Sequence, residues 1–473
     1  MKDKSILELR SLIDEGKITS EEVFNESIKM ANDSQGTVNA FVTIIDKYSK
    51  EESDSLLSGI PYALKDNFST KGILTTGSSN ILKDYIPVFD STVYKKLKEA
   101  GAVLMGKTVL DELAMGGSGL TGHTGIVRNP LDNTRITGGS SAGSAAAVAM
   151  GTVPFAIGSD TGDSVRKPAS YCGVVGFKPT YGRISRWGMF PFASSLDHVG
   201  VLTRNVMDAA IVTDVIKGKD EKDMTTLEDE SFKYSENLES SLEGKKLFYI
   251  KEILESAALG EAKEVASNFY DVIHKLKEKG CIVEEISFRK DLLEVIYPTY
   301  FIISCAESTS NNSNLTGFIF GPRGKGDTPE EVMINTRSEG FAEMIKRRFI
   351  IGSYILEREN QEKLFLNAKR VRNMIVTEMN KLFEKYDGLV LPAAGGVAPK
   401  INPSEEVDRL GDEYLLLENH LAIGNFGGYP SITLPSGFIG NMPIAVNLTC
   451  KVKDDLNCLQ IAYQIEKTLG GER

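Results

Sequence analysis

Apolar residues recur at helical spacing in one segment of this chain, and a short apolar run lies on each side of it. The segment 261–279 has the three-to-four-residue period of one helix face, with apolar side chains at Ala262, Val265, Phe269, Val272 and Leu276. The flanking runs 247–250 and 281–288 predict strands. We therefore predict a β-α-β unit here and an α/β fold for the chain.

The same alternation of helices and strands is found nearer the N-terminus. Residues 19–22 (TSEE) form a capping box that opens a helix, and Ser91–Ala100 predicts a helix that leads into a strand at Ala102–Gly106. Residues 144–150 are apolar throughout, which is typical of a buried helix. Residues 217–246 are polar and charge-rich instead, which predicts a surface excursion or a linker.

Size and charge limit the classes of protein to which the chain can belong. Of its 473 residues 41% are hydrophobic, enough for a large core, and length alone suggests two or three domains. Lys and Arg number 54 against 65 Asp and Glu, which gives a net charge of −11. The chain thus lacks the basic surface of a protein that binds nucleic-acid phosphates by itself.

Cysteine spacing and hydropathy indicate a reducing compartment. The cysteines form no C-x-x-C pair, which predicts neither a disulfide framework nor a zinc site; they are Cys172, Cys281, Cys305, Cys450 and Cys458. The N-terminal residues predict an amphipathic helix, and no apolar run approaches the length needed to span a membrane. We expect a cytoplasmic protein with no membrane partner and no metal site.

The main candidate for chemistry is Ser164, which follows a glycine-containing turn. A serine hydroxyl there could attack a carbonyl carbon while nearby backbone N–H groups stabilise the oxyanion. Lys65 and Ser140 could complete with it a known substitute for the Ser-His-Asp triad. His274 belongs to a helical packing pattern, whereas His123 and His198 lie in turn-like sequence without a recognisable motif and stay open as alternatives. A lysine base must be neutral, which requires burial or nearby positive charge. Taken alone, the sequence around Lys65 favours a solvated lysine at the end of a strand.

The glycine-serine segment 138–144 (GGSSAGS) has competing interpretations. It contains the G-x-S-x-G pattern of the hydrolase nucleophile elbow, but residues 128–135 before it are typical of a turn and not of the strand that the elbow requires. No Gly-Lys-Ser/Thr follows, so a phosphate-binding loop is excluded. A glycine-rich turn that begins the helix at residues 144–150 explains the segment without any chemistry.

Lys65, the segment 138–144 and the segment 158–169 (GSDTGDSVRKPA), in this order, resemble the amidase signature family of Ser-cisSer-Lys amide hydrolases. Residues 176–185 and 194–200 are similar to the same family, so the resemblance covers nearly the whole chain. It implies a single amidase domain over residues 1–473. The implied fold is the amidase signature fold, a large central mixed β-sheet covered by helices on both faces.

The resemblance also implies a role for each residue of this site. Ser164 would be the nucleophile, and Ser140, with a cis peptide before it, would connect Ser164 to Lys65. Lys65 would accept the proton through Ser140 and return it to the leaving group. The backbone N–H groups implied for the oxyanion hole are those of Thr161, Gly162, Asp163 and Ser164.

Residues 336–341 and 346–352 resemble one branch of this family, the glutaminase subunits of tRNA-dependent amidotransferases. The branch implies glutamine hydrolysis and transfer of ammonia to a B subunit, which would bind Glu-tRNA(Gln) and use ATP and Mg to form Gln-tRNA(Gln). A small C subunit would complete a heterotrimer, and this chain itself would need no cofactor. The alternatives are a stand-alone amidase acting on a small or aryl amide and a catalytically weakened scaffold subunit.

Substrate recognition is implied residue by residue in the same way. Arg348 would pair with the α-carboxylate of glutamine, for which a planar guanidinium is suited. Tyr300 would line the pocket. Glu418 stands where the branch usually has an aspartate, and would contact the α-ammonium group.

Three positions depart from the pattern of the family. Asp163 replaces the glycine that normally precedes the nucleophile, which limits the available φ and brings a carboxylate near the developing oxyanion. Lys167 replaces a glutamine, and if a helix begins at this turn the two residues are i,i+4 neighbours able to form an ion pair. Residues 391–396 (LPAAGG) lack the expected threonines, and no physical reason for that change is evident.

Overall fold

The computed structural model describes residues 2–256, 261–401 and 419–470. Eleven strands form one large mixed sheet, and two short strands form a separate hairpin, β4–β5. In chain order the strands are β1 (Phe41–Ile44), β2 (Pro61–Lys65), β3 (Val103–Thr108), β4 (Arg128–Asn129), β5 (Asp132–Ile136), β6 (Phe155–Asp160), β7 (Val175–Lys178), β8 (His198–Thr203), β9 (Lys246–Ile250), β10 (Ile282–Ile286), β11 (Gly388–Pro392), β12 (Ser431–Ile439) and β13 (Met442–Cys450).

Helices connect and cover these strands. In chain order those of the described residues are α1 (Ile6–Asp14), α2 (Ser20–Val38), α3 (Thr92–Glu99), α4 (Ala142–Ala149), α5 (Arg166–Cys172), α6 (Val206–Ile216), α7 (Lys251–Glu255), α8 (Glu261–Glu278), α9 (Lys290–Glu294), α10 (Ile296–Asn311), α11 (Pro329–Gly340), α12 (Glu343–Leu356), α13 (Arg358–Gln361), α14 (Asn367–Phe383), α15 (Ala422–Phe426) and α16 (Asp455–Thr468). A π-helical turn (Glu362–Leu366) precedes α14, and short 3-10 turns occur at Asn80–Leu82, Glu112–Ala114 and Ser235–Asn237.

The sheet contains two parallel groups of strands joined by antiparallel ones. Its order is β1-β3-β2-β6-β8-β7-β12-β13-β11-β9-β10. Strands β3, β2 and β6 are mutually parallel, as are β11, β9 and β10, whereas the pairs from β6 to β11 across the middle are antiparallel. Since β2 and β6 are parallel neighbours, their carboxyl ends lie side by side at one edge of the sheet.

Helices pack on both faces of the sheet, as the alternation along β2 shows. Tyr62 and Leu64 belong to an apolar cluster that includes residues of α3 and α6. Ala63, between them, belongs to a different cluster that includes residues of α2 and α4. Because successive strand residues point to opposite faces, β2 is buried on both sides. The predicted fold, a mixed sheet with helices on both faces, is confirmed.

Most of the predicted elements are confirmed, with boundaries shifted by one or two residues. The capping box is present between Thr19 and Glu22 at the start of α2. The predicted β-α-β unit is β9-α8-β10, and its two strands pair in parallel. The interpretation of residues 128–135 as turn sequence was incomplete, because the turn joins β4 to β5 in a small antiparallel hairpin.

The charge-rich segment 217–246 packs against the body of the protein. Tyr234, Leu238 and Leu242 are buried in the largest apolar cluster. Lys217 lies 3.0 Å from Asp214 and 3.6 Å from the ring centroid of Tyr234, which connects the start of the segment to its middle. Among the residues that the structure describes, no helix is long and apolar enough to cross a membrane.

Candidate active site

Three chain segments meet at the carboxyl ends of β2 and β6. Lys65 is the last residue of β2, and the turn that carries Ser164 joins β6 to α5. The segment 138–144 lies against this turn, since the backbone N–H of Ser141 donates to the carbonyl of Ser164 at 3.1 Å. The fold therefore brings Lys65, Ser140 and Ser164 into one site, although they are far apart in sequence.

Lys65 is fully buried and surrounded by hydroxyl groups. Its Nζ lies 2.8 Å from Ser140 Oγ, 2.9 Å from Ser141 Oγ and 2.9 Å from Ser159 Oγ. Burial lowers the pKa of Lys65 to about 7, although the nearby carboxylates Asp111 and Asp160 act in the opposite direction. The solvated lysine that its local sequence favoured is therefore wrong, and a neutral amine is accessible near neutral pH.

The backbone immediately before Ser140 is closely packed. The Gly139–Ser140 peptide is cis, as the resemblance implied. A Cβ atom on Gly139 would lie 2.0 Å from Asp111 Oδ2, so only glycine fits at this position. The buried carboxylate of Asp111 accepts hydrogen bonds from the N–H groups of Gly119 and Leu120, and its own N–H donates to the carbonyl of Ser140 at 3.2 Å. Sequence reasoning missed Asp111.

A buried ion pair braces the turn that contains Ser164. Arg166 donates to the carboxylate of Asp160 at 2.9 Å and to the carbonyl of Gly162 at 2.8 Å, and Asn425 donates to the same carboxylate at 2.9 Å. Burial alone would raise the pKa of Asp160, but Arg166 outweighs burial and holds that pKa well below its usual range. The sequence held one signal, an aspartate and an arginine on either side of the turn, but none for Asn425.

Two further contacts define the walls of the turn. Thr161 Oγ1 donates to Asp197 Oδ1 at 2.7 Å. A Cβ atom on Gly162 would lie 2.9 Å from the ring of Tyr300, so the ring packs directly on the backbone of Gly162. Tyr300 thus lies against the turn that precedes Ser164, and its role in lining a substrate pocket stays a prediction. The hydrogen bond between the hydroxyls of Ser140 and Ser164, and the oxyanion hole itself, stay predictions.

Arg348, on α12, lies on the same side of the site as Tyr300. Its guanidinium carbon is 5.3 Å from the ring centroid of Phe301 and 5.9 Å from that of Phe192. Burial raises the pKa of Tyr300. The positive charge of Arg348 lies close enough to the Tyr300 hydroxyl to oppose that rise. Within the described residues, Nη1 of Arg348 is buried and has no hydrogen-bond partner. An uncompensated buried donor of this kind suits an anionic ligand. Glu418 lies outside the described residues.

The ion pair predicted between Asp163 and Lys167 is present, with 2.9 Å between Oδ2 and Nζ. The N–H of Lys167 also donates to the carbonyl of Asp163 at 2.8 Å, the geometry of a first helical turn. Burial raises the pKa of Asp163, and the charge of Lys167 opposes that rise. Asp163 is not among the residues with positive φ, so the loss of glycine causes no backbone strain here.

The remaining departure is the pair of alanines after β11. Ala393 and Ala394 are buried, and the N–H of Ala393 donates to the carbonyl of Ala445 at 2.9 Å. Nothing in the structure explains the absence of threonines at these positions. No cluster of His, Cys, Asp or Glu suited to a metal ion occurs in the described ranges.

A buried lysine hydrogen-bonded to a cis-peptide serine, beside a serine in a strand–turn–helix segment, is the arrangement expected of an amide hydrolase of the amidase class. The family model Amidase matches residues 25–459, and the chain belongs to this family of enzymes. The A subunit of glutamyl-tRNA(Gln) amidotransferase from Halothermothrix orenii is 39% identical, over 99% of this chain and 97% of its own length. The corresponding protein of Lactobacillus johnsonii is 38% identical, over 98% and 96%. The solved structure of the same amidotransferase chain from Thermotoga maritima is 36% identical and superposes with a TM-score of 0.83, covering 98% of this chain and 95% of that one.

Proposed function

We propose that this chain is the glutaminase subunit of a tRNA-dependent amidotransferase, corresponding to the A chain of its relatives. It would hydrolyse glutamine and supply ammonia for the conversion of Glu-tRNA(Gln) to Gln-tRNA(Gln). The observation that carries the chemistry is the 2.8 Å hydrogen bond between the buried Lys65 and Ser140, beside the turn of Ser164. Identity of 38% to 39% with these amidotransferase relatives, along nearly the full length, supports the particular reaction.

The proposed acylation step begins at Ser164. Its Oγ attacks the side-chain amide carbon of glutamine while its proton passes to Ser140, whose own proton passes to the neutral amine of Lys65. Collapse of the tetrahedral intermediate breaks the C–N bond, and the proton returns from Lys65 through Ser140 to the departing nitrogen as ammonia leaves. Water then hydrolyses the glutamyl ester by the same route, which releases glutamate and restores Ser164.

Backbone groups and three side chains are proposed to hold the substrate. The N–H groups of residues 161–164 would stabilise the oxyanion, since they lie in the turn that Arg166 and Asp160 hold rigid. Arg348 would bind the α-carboxylate through its Nη1, which has no hydrogen-bond partner among residues 2–256, 261–401 and 419–470. Tyr300 would form one wall of the pocket, and Glu418 would contact the α-ammonium group.

The net charge of this chain suggests which subunit binds the tRNA. A net charge of −11 is poorly suited to tRNA, so a B subunit would bind the tRNA and use ATP and Mg, and a small C subunit would connect the two chains. This chain would then need no cofactor of its own. The complex would act in the cytoplasm, where charged tRNA is available.

The test is Ser164→Ala in the complex with its B and C subunits. Glutamine-dependent amidation of Glu-tRNA(Gln) should be abolished, while amidation from added ammonium should persist, because the second reaction does not need the ester. Ser170→Ala, on the same helix α5, is the matched control and should keep glutamine-dependent activity.

Three results would contradict the proposal. Glutamine-dependent activity near wild type in Ser164→Ala would exclude Ser164 as the nucleophile. Efficient hydrolysis of simple or aryl amides, with no stimulation by ATP and tRNA, would indicate a stand-alone amidase. An assembled wild-type complex that uses only ammonium would indicate a scaffold subunit.

A further inference from the structure

Glu112 is a buried carboxylate for which the proposed mechanism has no role. It begins the 3-10 turn Glu112–Ala114 after β3 and is 2% exposed. Its two oxygens have different partners: Ser79 Oγ donates to Oε1 at 2.5 Å, and the backbone N–H of Ala342 donates to Oε2 at 3.1 Å. A carboxylate close to β3 is thereby bound to a segment 230 residues further along the chain.

The contact with Ala342 lies at the start of α12. Ala342 is the residue at the N-terminal cap of this helix, and its methyl side chain cannot accept a hydrogen bond. Gly340, at the end of α11, packs against Ile81. A Cβ atom added to Gly340 would lie 2.9 Å from Ile81 Cβ. The turn between α11 and α12 is therefore held against residues 79–81 and Glu112.

Asp111, the residue before Glu112, contacts the segment that contains Ser140. Asp111 packs against Gly139, and its N–H donates to the carbonyl of Ser140. Two consecutive carboxylates thus fix two parts of the site, one the cis-serine segment and the other the helix that carries Arg348. Arg348 lies about 9 Å along α12 from Ala342, less than two helical turns.

We propose that Glu112 is a positioning residue that sets the distance between Arg348 and Ser164 by fixing the start of α12. The inference rests on the proposed function, because it assigns the α-carboxylate of glutamine to Arg348. The α-carboxylate and the side-chain amide of glutamine are separated by a short chain, so a shift of α12 would prevent both ends from binding at once.

The first experiment compares Glu112→Ala with wild type in the complex with its B and C subunits. KM for glutamine should rise about tenfold while kcat changes much less, since a hydrogen bond to a carboxylate is lost at the binding end of the site. Glu112→Gln should have a KM close to that of wild type, because its amide oxygen can accept a hydrogen bond from the N–H of Ala342 and its amide nitrogen can donate to the Ser79 hydroxyl. Burial raises the pKa of Glu112 to about 7, so the neutral glutamine side chain is a close mimic.

Glu343→Ala is the matched control. Glu343 is an exposed carboxylate in the first turn of the same helix and lies 3.5 Å from Lys346. Glu343→Ala also removes a carboxyl group near the start of this helix but leaves the contact to Ala342 in place, so it should leave KM unchanged. An equal rise of KM in Glu343→Ala would show that helix-end charge, and not positioning, is responsible, and would overturn the inference.

Two measurements separate positioning from general damage to the fold. In a double-mutant cycle with Arg348→Lys, Glu112→Ala should add little to the KM of the single variant, because both act on one contact. With 4-aminobutanamide, which is glutamine without the α-carboxylate, Glu112→Ala should hydrolyse the amide at the wild-type rate within about twofold. Additive effects, or equal losses with both amides, would overturn the inference.

The inference and the proposed function can fail separately. A wild-type complex that does not hydrolyse glutamine would refute the proposed function before any variant is made. A wild-type complex active on glutamine, with unchanged KM in Glu112→Ala, would refute only the role of Glu112. If Glu112→Ala does not fold, Glu112→Asp, whose carboxylate is one methylene short of Ala342, allows the same comparison, and an unchanged KM there would also refute it.

Discussion

The ion pair between Asp163 and Lys167 allows a direct test of how a carboxylate is tolerated beside Ser164, the proposed nucleophile. Lys167→Gln removes the cation 2.9 Å from Asp163 Oδ2 and leaves the carboxylate in place. Burial already raises the pKa of Asp163, which means that this site disfavours the charged form unless a cation is near. We predict that Lys167→Gln slows glutamine hydrolysis, chiefly through kcat.

The magnitude follows from Coulomb repulsion between the carboxylate and the oxyanion of the transition state. A side-chain carboxylate about 6 Å from the oxyanion repels it by about 3 kcal/mol at an effective dielectric constant of about 20. The carboxylate of Asp163 is 21% exposed and Lys167 is 9% exposed, so solvent reduces this value. A cost of about 1 to 3 kcal/mol, or about ten- to a hundredfold in kcat, is therefore expected.

The assay is a double-mutant cycle in steady-state glutamine hydrolysis. Asp163→Gly with Lys167→Gln should recover much of the rate lost in Lys167→Gln, because no bare carboxylate remains, and the two changes should be strongly non-additive. Asp163→Gly alone gives the fourth corner of the cycle. A coupling energy indistinguishable from zero would refute the reasoning and leave Asp163 as an independent substitution.

Four other predictions test the site and its surroundings. Because burial lowers the pKa of Lys65 to about 7, kcat/KM for glutamine should rise as pH is raised through about 7 and then level off, and Lys65→Arg should be as inactive as Lys65→Ala; an active arginine variant would exclude a base. Arg348→Lys should raise KM for glutamine about tenfold or more with a smaller effect on kcat, and an unchanged KM would place the α-carboxylate elsewhere. Arg166→Gln should lower the free energy of unfolding in urea by about 3 to 5 kcal/mol, because Asp160 is left buried without its cation, and a loss below about 1 kcal/mol would argue against that reasoning. In filter-binding assays the isolated chain should bind tRNA weakly, with affinity appearing when the B subunit is added, and tight salt-sensitive binding by the chain alone would contradict the assignment of tRNA to the partner.

Helices, strands and the α/β class could be predicted because they depend on local patterns, whereas the mixed-sheet fold and the catalytic candidates came from the resemblance to the amidase signature family. Helical periodicity in residues 261–279 and the capping box at Thr19 are local signals, and both elements are present. The ion pair between Asp163 and Lys167 was also predictable, since a helical turn alone brings such residues together.

What could not be predicted depends on strand order. Lys65 ends a strand, and local sequence cannot distinguish an exposed edge strand from a buried central one. The order β3-β2-β6 places β2 between two parallel neighbours, and that placement is what buries Lys65 and lowers its pKa. Asn425 was missed for the same reason, because its contact with Asp160 joins residues 265 positions apart.

Burial also decides the pKa of Lys65 although carboxylates lie nearby. Asp160 is paired with Arg166, and its charge still acts to raise the pKa of Lys65. The carboxylate of Asp111 accepts hydrogen bonds from backbone N–H groups of the loop after β3 and acts on the pKa of Lys65 in the same direction. Burial outweighs these carboxylates and lowers the pKa of Lys65 to about 7. A Lys65 amine that can be neutral near pH 7 thus requires the central position of β2, which the sequence around Lys65 does not reveal.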